Sequence, residues 1–197
     1  IPLWMSGVAI ATGNAFILKP SERDPSVPVR LAELFREAGL PEGAFINLYA
    51  TREQIDRILN DPRVHGVALT GSEAAGAEVA AAAGRALKKS TMELGGADAF
   101  VVLADAELDK TVKWAVFGRH WNGGQVCVSS KRMIVVDEVH DAFLDAYTKG
   151  VAALKMGDPF DPETTLAPLS SQKAADDVRA MIDLAVEHGA TATPVGP

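Results

Sequence analysis

The sequence predicts an α/β fold, a mainly parallel sheet flanked by helices, and two observations carry that prediction. Short apolar runs alternate with segments of helical periodicity along the whole chain. A glycine-bearing turn, Thr70-Gly71-Ser72, joins one of those runs to an alanine-rich helix, the junction at which dinucleotide folds bind phosphate.

The elements follow in order. The chain opens on Ile1-Pro2-Leu3-Trp4, which reads as beginning within an element. Residues 15–18 form a continuous apolar run between Gly13-Asn14 and Lys19-Pro20, the pattern of a buried parallel strand. Asp24 then suits an N-cap and Pro25 the first helical position, while Leu31, Leu34, Phe35 and Ala38 make one apolar face that Gly39 terminates. Thr51 and Gln54 have capping-box spacing, Ile55, Ile58 and Leu59 face inward, and Asp61-Pro62 ends that helix. A strand over 64–69 leads into the glycine turn, which extends to Gly76, and a helix closes near Gly84. Further strands are expected over 91–94, 99–103 and 132–136, with helices over 108–121, 139–154 and 171–188. The chain stops at 193–197 just as another strand should begin, so it reads as a fragment.

Composition narrows the partners. Hydrophobic residues make up 48% and charged residues 23% of the 197, and the mean hydropathy is +0.09, a balance that builds a core without filling a membrane. A net charge of -7 and a pI near 5.1 leave no basic stripe to release counterions from nucleic acid. No apolar run reaches the roughly 18 residues of a membrane span. The N-terminus lacks the basic region and cleavage site of a signal peptide, and a cytoplasmic protein is the expectation. A single cysteine excludes an internal disulfide, and His65, His120, His140 and His188 stand apart without metal-ligand spacing, so no metal is expected.

Four places could carry chemistry. Cys127 follows Asn122-Gly123-Gly124-Gln125-Val126, a glycine-rich break after a helix where backbone N–H groups can approach a ligand. That setting suits a nucleophile, although a lone cysteine reads first as a buried structural thiol. Glu93 ends an extended run directly before Leu94-Gly95-Gly96, where a carboxylate can work as a general base; alone it is also an ordinary solvated strand-end glutamate. Lys19-Pro20-Ser21-Glu22 follows the first strand at the sheet's carboxyl edge, where α/β folds hold a nucleotide ribose, and is otherwise a plain charged loop. The G-x-x-x-x-G from Gly71 to Gly76 lacks the Lys-Ser/Thr of a P-loop and the full dinucleotide fingerprint, which leaves its strand-turn-helix setting as its support.

Taken in order, LKPSE, ALTGS, MELGG, NGGQVC and KMGDPFDPET resemble the aldehyde dehydrogenase superfamily across essentially all 197 residues. From about residue 46 onward, through RVHGVALTGS, STMELGGADAFVVL and AVFGRHWNGGQVC, the chain looks most like bacterial succinate-semialdehyde dehydrogenases. The first 45 residues, with IPLWM and GNAFILKPSERDPSVPVRLAEL, look more like methylmalonate-semialdehyde dehydrogenases, as in a divergent intermediate or a join of two sources. The resemblance implies part of a Rossmann-like NAD(P)-binding domain over 1–93, followed by the start of the α/β catalytic domain over 94–197. It implies that Cys127 is the nucleophile and that Glu93 activates water. Lys19 and Glu22 would then lie at the adenosine ribose, Gly71 and Ser72 at the pyrophosphate, and Ser21, Thr70, Leu94 and Gly95 would also serve the cofactor. Trp4 and Trp121 fall where the family lines its substrate tunnel. The implied cofactor is NAD, with NADP as the alternative; the implied substrate is a small aldehyde, such as succinate semialdehyde; the implied whole protein is a homodimer or homotetramer. The family's oxyanion asparagine would precede Ile1 and its nicotinamide-ribose glutamate would follow Pro197, so the chain alone is expected to be inactive.

Two other readings stand beside this one. A CoA-acylating route, with CoA thiol attacking the thioester in place of water, follows from the N-terminal resemblance, yet acylating relatives generally lack the carboxylate that Glu93 supplies. A non-catalytic module follows if the native reading frame stops at Pro197. A carboxylated substrate needs a cation in the tunnel. Some succinate-semialdehyde dehydrogenases place an arginine six residues before the cysteine, where this chain has Trp121; Arg119 and Lys131 are near in sequence without an assigned orientation.

Overall fold

Residues 1–195 are described by a computed structural model; Gly196 and Pro197, the end of the stretch expected to open a further strand, lie outside the described residues. Among the described residues seven α-helices and six strands alternate, and every strand pair is parallel. The α/β class holds, and the expected parallel pairing takes the form of three separate two-stranded pairs. The chain forms two compact units, Ile1–Gly95 and a second that starts at Gly96.

The first unit opens with α1 (Pro2–Ala11), with Pro2 at the first helical position, where its missing N–H is harmless. β1 (Phe16–Leu18) pairs with β2 (Phe45–Asn47), with α2 (Ser26–Glu37) as the crossover. Hydrogen bonding in α2 begins one residue later than expected. The Asp24 carboxylate nonetheless accepts the Val27 N–H at 3.3 Å, and Pro25 already has helical dihedrals. The helix closes on Gly39 with two 3.0 Å bonds, Gly39 N–H to Arg36 and Leu40 N–H to Phe35, a Schellman closure. Phe35 stacks obliquely on Phe45 with ring centroids 4.6 Å apart. Leu34 and Ala38, expected on the same apolar face, are exposed.

α3 (Arg52–Asn60) starts with the full capping box: Thr51 Oγ1 accepts the Gln54 N–H at 3.3 Å, and Gln54 Oε1 accepts the Thr51 N–H at 2.8 Å. Leu59 is buried, and Ile55 and Ile58 are half-buried, as the periodicity requires. Asp61 then turns the chain. Hydrogen bonds of 2.6 and 2.9 Å from the Arg63 guanidinium hold the Asp61 carboxyl well below the usual carboxylate range. β3 (Gly66–Thr70), α4 (Glu73–Arg85) and β4 (Lys89–Glu93) complete a second parallel strand-helix-strand.

In the second unit β5 (Ala99–Val102) pairs with β6 (Arg132–Val135) through the crossover helix α5 (Leu108–His120). α6 (Asp137–Ala152) packs on α5, and α7 (Gln172–Glu187) follows a long loop. The core here is Val102, Val112, Ala115 and Phe143, surrounded by Phe100, Met133 and Tyr147. Burial raises the Tyr147 phenol above its ordinary pKa, against the opposing pull of Arg119.

Parallel strands are usually covered on both faces, and these are not. Ile17 is 44% exposed beside its register partner Ile46 at 40%, and Val101 is 59% exposed beside Ile134 at 49%. The buried strand expected over 15–18 is therefore only half-buried, at Phe16 and Leu18, and exposed on its other face. On α7, Met181, Ile182 and Leu184 are exposed.

Candidate active site

In the first unit, two adjacent strand ends carry candidate residues. β3 and β4 run in register with Thr70 opposite Glu93, so the loops leaving their carboxyl ends leave side by side. The Gly71 N–H donates to the Glu93 carbonyl at 3.0 Å and carries the ladder one residue further. Ser72 then caps α4, its Oγ accepting the Ala75 N–H at 3.3 Å. Because that cap starts the helix at Glu73, Gly76 lies inside the helix and not in the turn, which corrects the expected extent of the glycine loop. Gly76 has another role. It is buried, and a Cβ added there would stand 2.6 Å from Leu94 Cδ2, so its bare backbone admits the Leu94 side chain against α4. Gly95 has open space around it. The Glu93 side chain is exposed and makes no hydrogen bond or ion pair among the described residues.

Two buried side-chain atoms at strand ends lack hydrogen-bond partners among the described residues, Thr70 Oγ1 in the last residue of β3 and Asn47 Oδ1 in the last residue of β2. A buried polar atom left unsatisfied costs about 1–3 kcal/mol. At the carboxyl ends of parallel strands, where α/β folds bind their ligands, such atoms are what a polar ligand satisfies. Asn47 has no counterpart in the sequence reading, because a three-residue strand shows no periodicity.

After β1, Lys19 Nζ donates to the Pro20 carbonyl at 3.0 Å and lies 3.9 Å from Glu22 Oε1. Lys19, Pro20 and Glu22 line one side of a depression of about 260 Å³, and Tyr49, Ala50, Thr51 and Gln54 line the other. Glu22 stands at the rim with its side chain 84% exposed, against 33% for Lys19. Ser21 Oγ accepts the Arg23 N–H at 3.3 Å and shapes the loop. The Tyr49 hydroxyl donates to the Pro25 carbonyl at 2.5 Å, which ties the far wall to the start of α2.

In the second unit a short 3-10 turn, Trp121–Gly124, follows α5. Asn122, Gly123 and Gly124 have φ of 53°, 64° and 75°, three left-handed residues in succession. A Cβ at Gly124 would lie 2.8 Å from Arg119 Nη1 and one at Gly123 would lie 3.1 Å from the Ala167 carbonyl, so the positive φ favours glycine at both positions and a side chain would also crowd these neighbours. A tight turn from Val126 to Ser129 comes next, closed by the Ser129 N–H on the Val126 carbonyl at 3.1 Å. Cys127 sits at its corner and is exposed, which overturns the buried structural thiol.

Beneath the turn, Ser129 is only 4% exposed and its Oγ donates to the Gly118 carbonyl at 2.7 Å. Arg119 donates to the Gly124 carbonyl at 3.3 Å and to Ser129 Oγ at 3.5 Å. Lys131 Nζ donates to the carbonyls of Val126 at 2.9 Å and Cys127 at 2.7 Å. The two cations that the sequence left unoriented thus both hold the cysteine loop. Trp121 is 60% exposed and stacks on Phe117 at 5.8 Å, and Phe117 meets Trp114 edge-on at 5.7 Å. Phe117 and Trp114 were not singled out, although their spacing to Trp121 is that of one helix face. Trp4, on α1 in the first unit, is 66% exposed. Among the described residues no group of three or more His, Cys, Asp or Glu could hold a metal ion, and no helix is long and apolar enough to cross a membrane.

Comparison with known proteins agrees with the motifs. The aldehyde dehydrogenase family model matches residues 1–196. Over 187 residues the chain is 46% identical to the succinate-semialdehyde dehydrogenase (NADP(+)) of Deinococcus radiodurans, a match covering 95% of this chain and 39% of the relative. That match therefore includes most of the first 45 residues. The solved succinic semialdehyde dehydrogenase from Streptococcus pyogenes, in complex with NADP+, superposes with a TM-score of 0.86 at 46% identity, over 93% of this chain and 42% of that one. PnpE from Pseudomonas sp. WBC-3, in complex with nicotinamide adenine dinucleotide, superposes with a TM-score of 0.88 at 34% identity, over 94% of this chain and 38% of that one. The chain spans about two fifths of the length of these relatives. It belongs to the aldehyde dehydrogenase family.

Proposed function

We propose that the whole protein oxidises a small aldehyde, with succinate semialdehyde as the first candidate, to the carboxylic acid, using a nicotinamide dinucleotide as acceptor. The observation that carries this reading is the exposed Cys127 at the corner of a turn held from below by Ser129, Arg119 and Lys131. A thiol so placed is reachable by substrate and fixed in position, as a nucleophile must be.

In this reading the first unit binds the cofactor and the second carries the nucleophile. Cys127 Sγ attacks the aldehyde carbon, the thiol proton leaves, and backbone N–H groups, that of Cys127 among them, hold the resulting oxyanion. A bound nicotinamide dinucleotide would supply the acceptor for the hydride that this carbon loses. The product is a thioester on Cys127. Glu93, exposed and unpaired among the described residues, removes a proton from water, which then attacks the thioester and releases the acid and the thiol. Trp121 and Trp4 serve the approach of the substrate.

For the cofactor, the N-terminus of α4 and the unsatisfied Thr70 Oγ1 suit the pyrophosphate together with Gly71 and Ser72, while Leu94 and Gly95 leave the adjacent strand end. Lys19, Ser21 and Glu22 suit the adenosine ribose. Glu22 alone would favour NAD, since its charge repels a 2′-phosphate. Its place at the rim, 3.9 Å from Lys19 Nζ, weakens that repulsion, and the Deinococcus relative is named for NADP(+). We infer that NADP is accepted alongside NAD.

The test is turnover of the whole protein with succinate semialdehyde and either dinucleotide, without CoA. Reduced cofactor and succinate should form in equal amounts, and Cys127→Ala should lower kcat by about 10³-fold or more. A requirement for CoA, or turnover retained by Cys127→Ala, would refute the reading.

A further inference from the structure

The peptide group between Val126 and Cys127 is a single plane with the Val126 carbonyl on one side and the Cys127 N–H on the other. Lys131 Nζ donates to that carbonyl at 2.9 Å and to the Cys127 carbonyl at 2.7 Å. We infer that Lys131 is a positioning residue for the nucleophile: its ammonium fixes the Val126–Cys127 peptide plane and polarises it, making the Cys127 N–H a stronger donor to the oxyanion. The inference rests on the proposed role of Cys127.

Three observations favour this over simple bracing of the turn. The turn is already closed by the Ser129 N–H on the Val126 carbonyl, and it is already fastened to α5 by Ser129 Oγ on Gly118. Lys131 is itself anchored, since its N–H and that of Arg132 donate to the Asp98 carbonyl at 3.0 and 3.2 Å where β6 begins beside β5. A lysine that bends back to two carbonyls gives up rotamer freedom and part of the hydration that a surface ammonium keeps. A full charge on a carbonyl oxygen forms the stronger class of hydrogen bond, and hydrogen bonds linked through one peptide group reinforce each other. Drawing electron density toward the Val126 oxygen leaves the Cys127 N–H more positive. That matters in a reaction whose transition state builds charge on an oxygen, and it does not matter where no such charge forms.

Two reagents make that distinction, and Cys127 is the chain's single cysteine, so each reports on one thiol. With p-nitrophenyl acetate, Sγ bonds to the carbonyl carbon through a tetrahedral oxyanion, the ester C–O bond breaks, p-nitrophenolate leaves with the electron pair, and the thiol proton goes to buffer. With iodoacetamide, Sγ displaces iodide at a saturated carbon, and no oxyanion forms. The ratio of the two second-order rate constants is measured on the 197-residue chain, folded by circular dichroism. Lys131→Met should lower the acylation-to-alkylation ratio by about tenfold, a modest fraction of what an oxyanion donor contributes. Lys131→Arg should recover most of the ratio, and in concentrated urea all variants should agree. Lys131→Gln, neutral and of similar length, decides the matter if the Met variant does not fold. An unchanged ratio in a folded neutral variant, or two rates that fall together, would overturn the inference. Failure of the nucleophile reading shows separately, as turnover retained by Cys127→Ala in the whole protein.

Discussion

Glu22 and Cys127 illustrate how far a residue's neighbours decide its chemistry. Glu22 follows its lysine by three positions, and the fold sets it on the rim of the depression with Lys19 3.9 Å away. An exposed carboxylate acts on a nearby phosphate through partly screened space, so its effect on cofactor choice is moderate. Glu22→Ser in the whole protein should raise the NADP-to-NAD ratio of kcat/KM by about three- to tenfold, each tenfold being about 1.4 kcal/mol. An unchanged ratio would mean that Glu22 does not face the ribose. Both residues are candidates in the sequence because KPSE and GGQVC are contiguous motifs. Their surroundings are not legible there. The contacts of Lys131 and Arg119 depend on three left-handed residues, 122–124, that fold the loop back on α5, and Asn122 in that conformation has no sequence signal comparable to the glycines beside it.

At the scale of elements, the sequence is most informative where a cap is chemically explicit. The Thr51–Gln54 capping box was read from spacing and is present with both of its bonds. Thr51→Ala should destabilise the first unit by about 1 kcal/mol, the usual worth of an N-cap oxygen. Urea denaturation followed by circular dichroism measures it, and an unchanged midpoint would show that the cap is idle. The helices α5, α6 and α7 match their expected extents within about two residues, since 13- to 16-residue amphipathic segments carry a strong period. β2 went unread because Phe45-Ile46-Asn47 is too short to alternate. The role of Gly76 was misread for a different reason. Its spacing from Gly71 looks like a loop, whereas the contact that demands glycine comes from Leu94, distant in sequence and brought near only by the β3–β4 pairing.

For the whole molecule, the bare faces and the length comparison bear on the same question. Ile17 with Ile46 and Val101 with Ile134 expose apolar surface that parallel pairs normally cover, and the chain spans about two fifths of its relatives' length. We expect the isolated 197-residue chain to show no dehydrogenase turnover; propanal or succinate semialdehyde oxidised above a Cys127→Ala control would contradict that. The central claim, covalent oxidation at Cys127 with Glu93 as the base for hydrolysis, concerns the whole protein. It is tested most directly by Glu93→Gln in that protein, with the reduced cofactor followed in time and the intact mass recorded. Gln keeps the shape of the side chain but cannot take a proton from water. The account predicts a burst of reduced cofactor close to the enzyme concentration, an acyl mass on Cys127, and a steady state slower by about 10²- to 10⁴-fold. A well-folded Glu93→Gln protein that turns over at the wild-type rate without CoA, and carries no acyl mass, would contradict it.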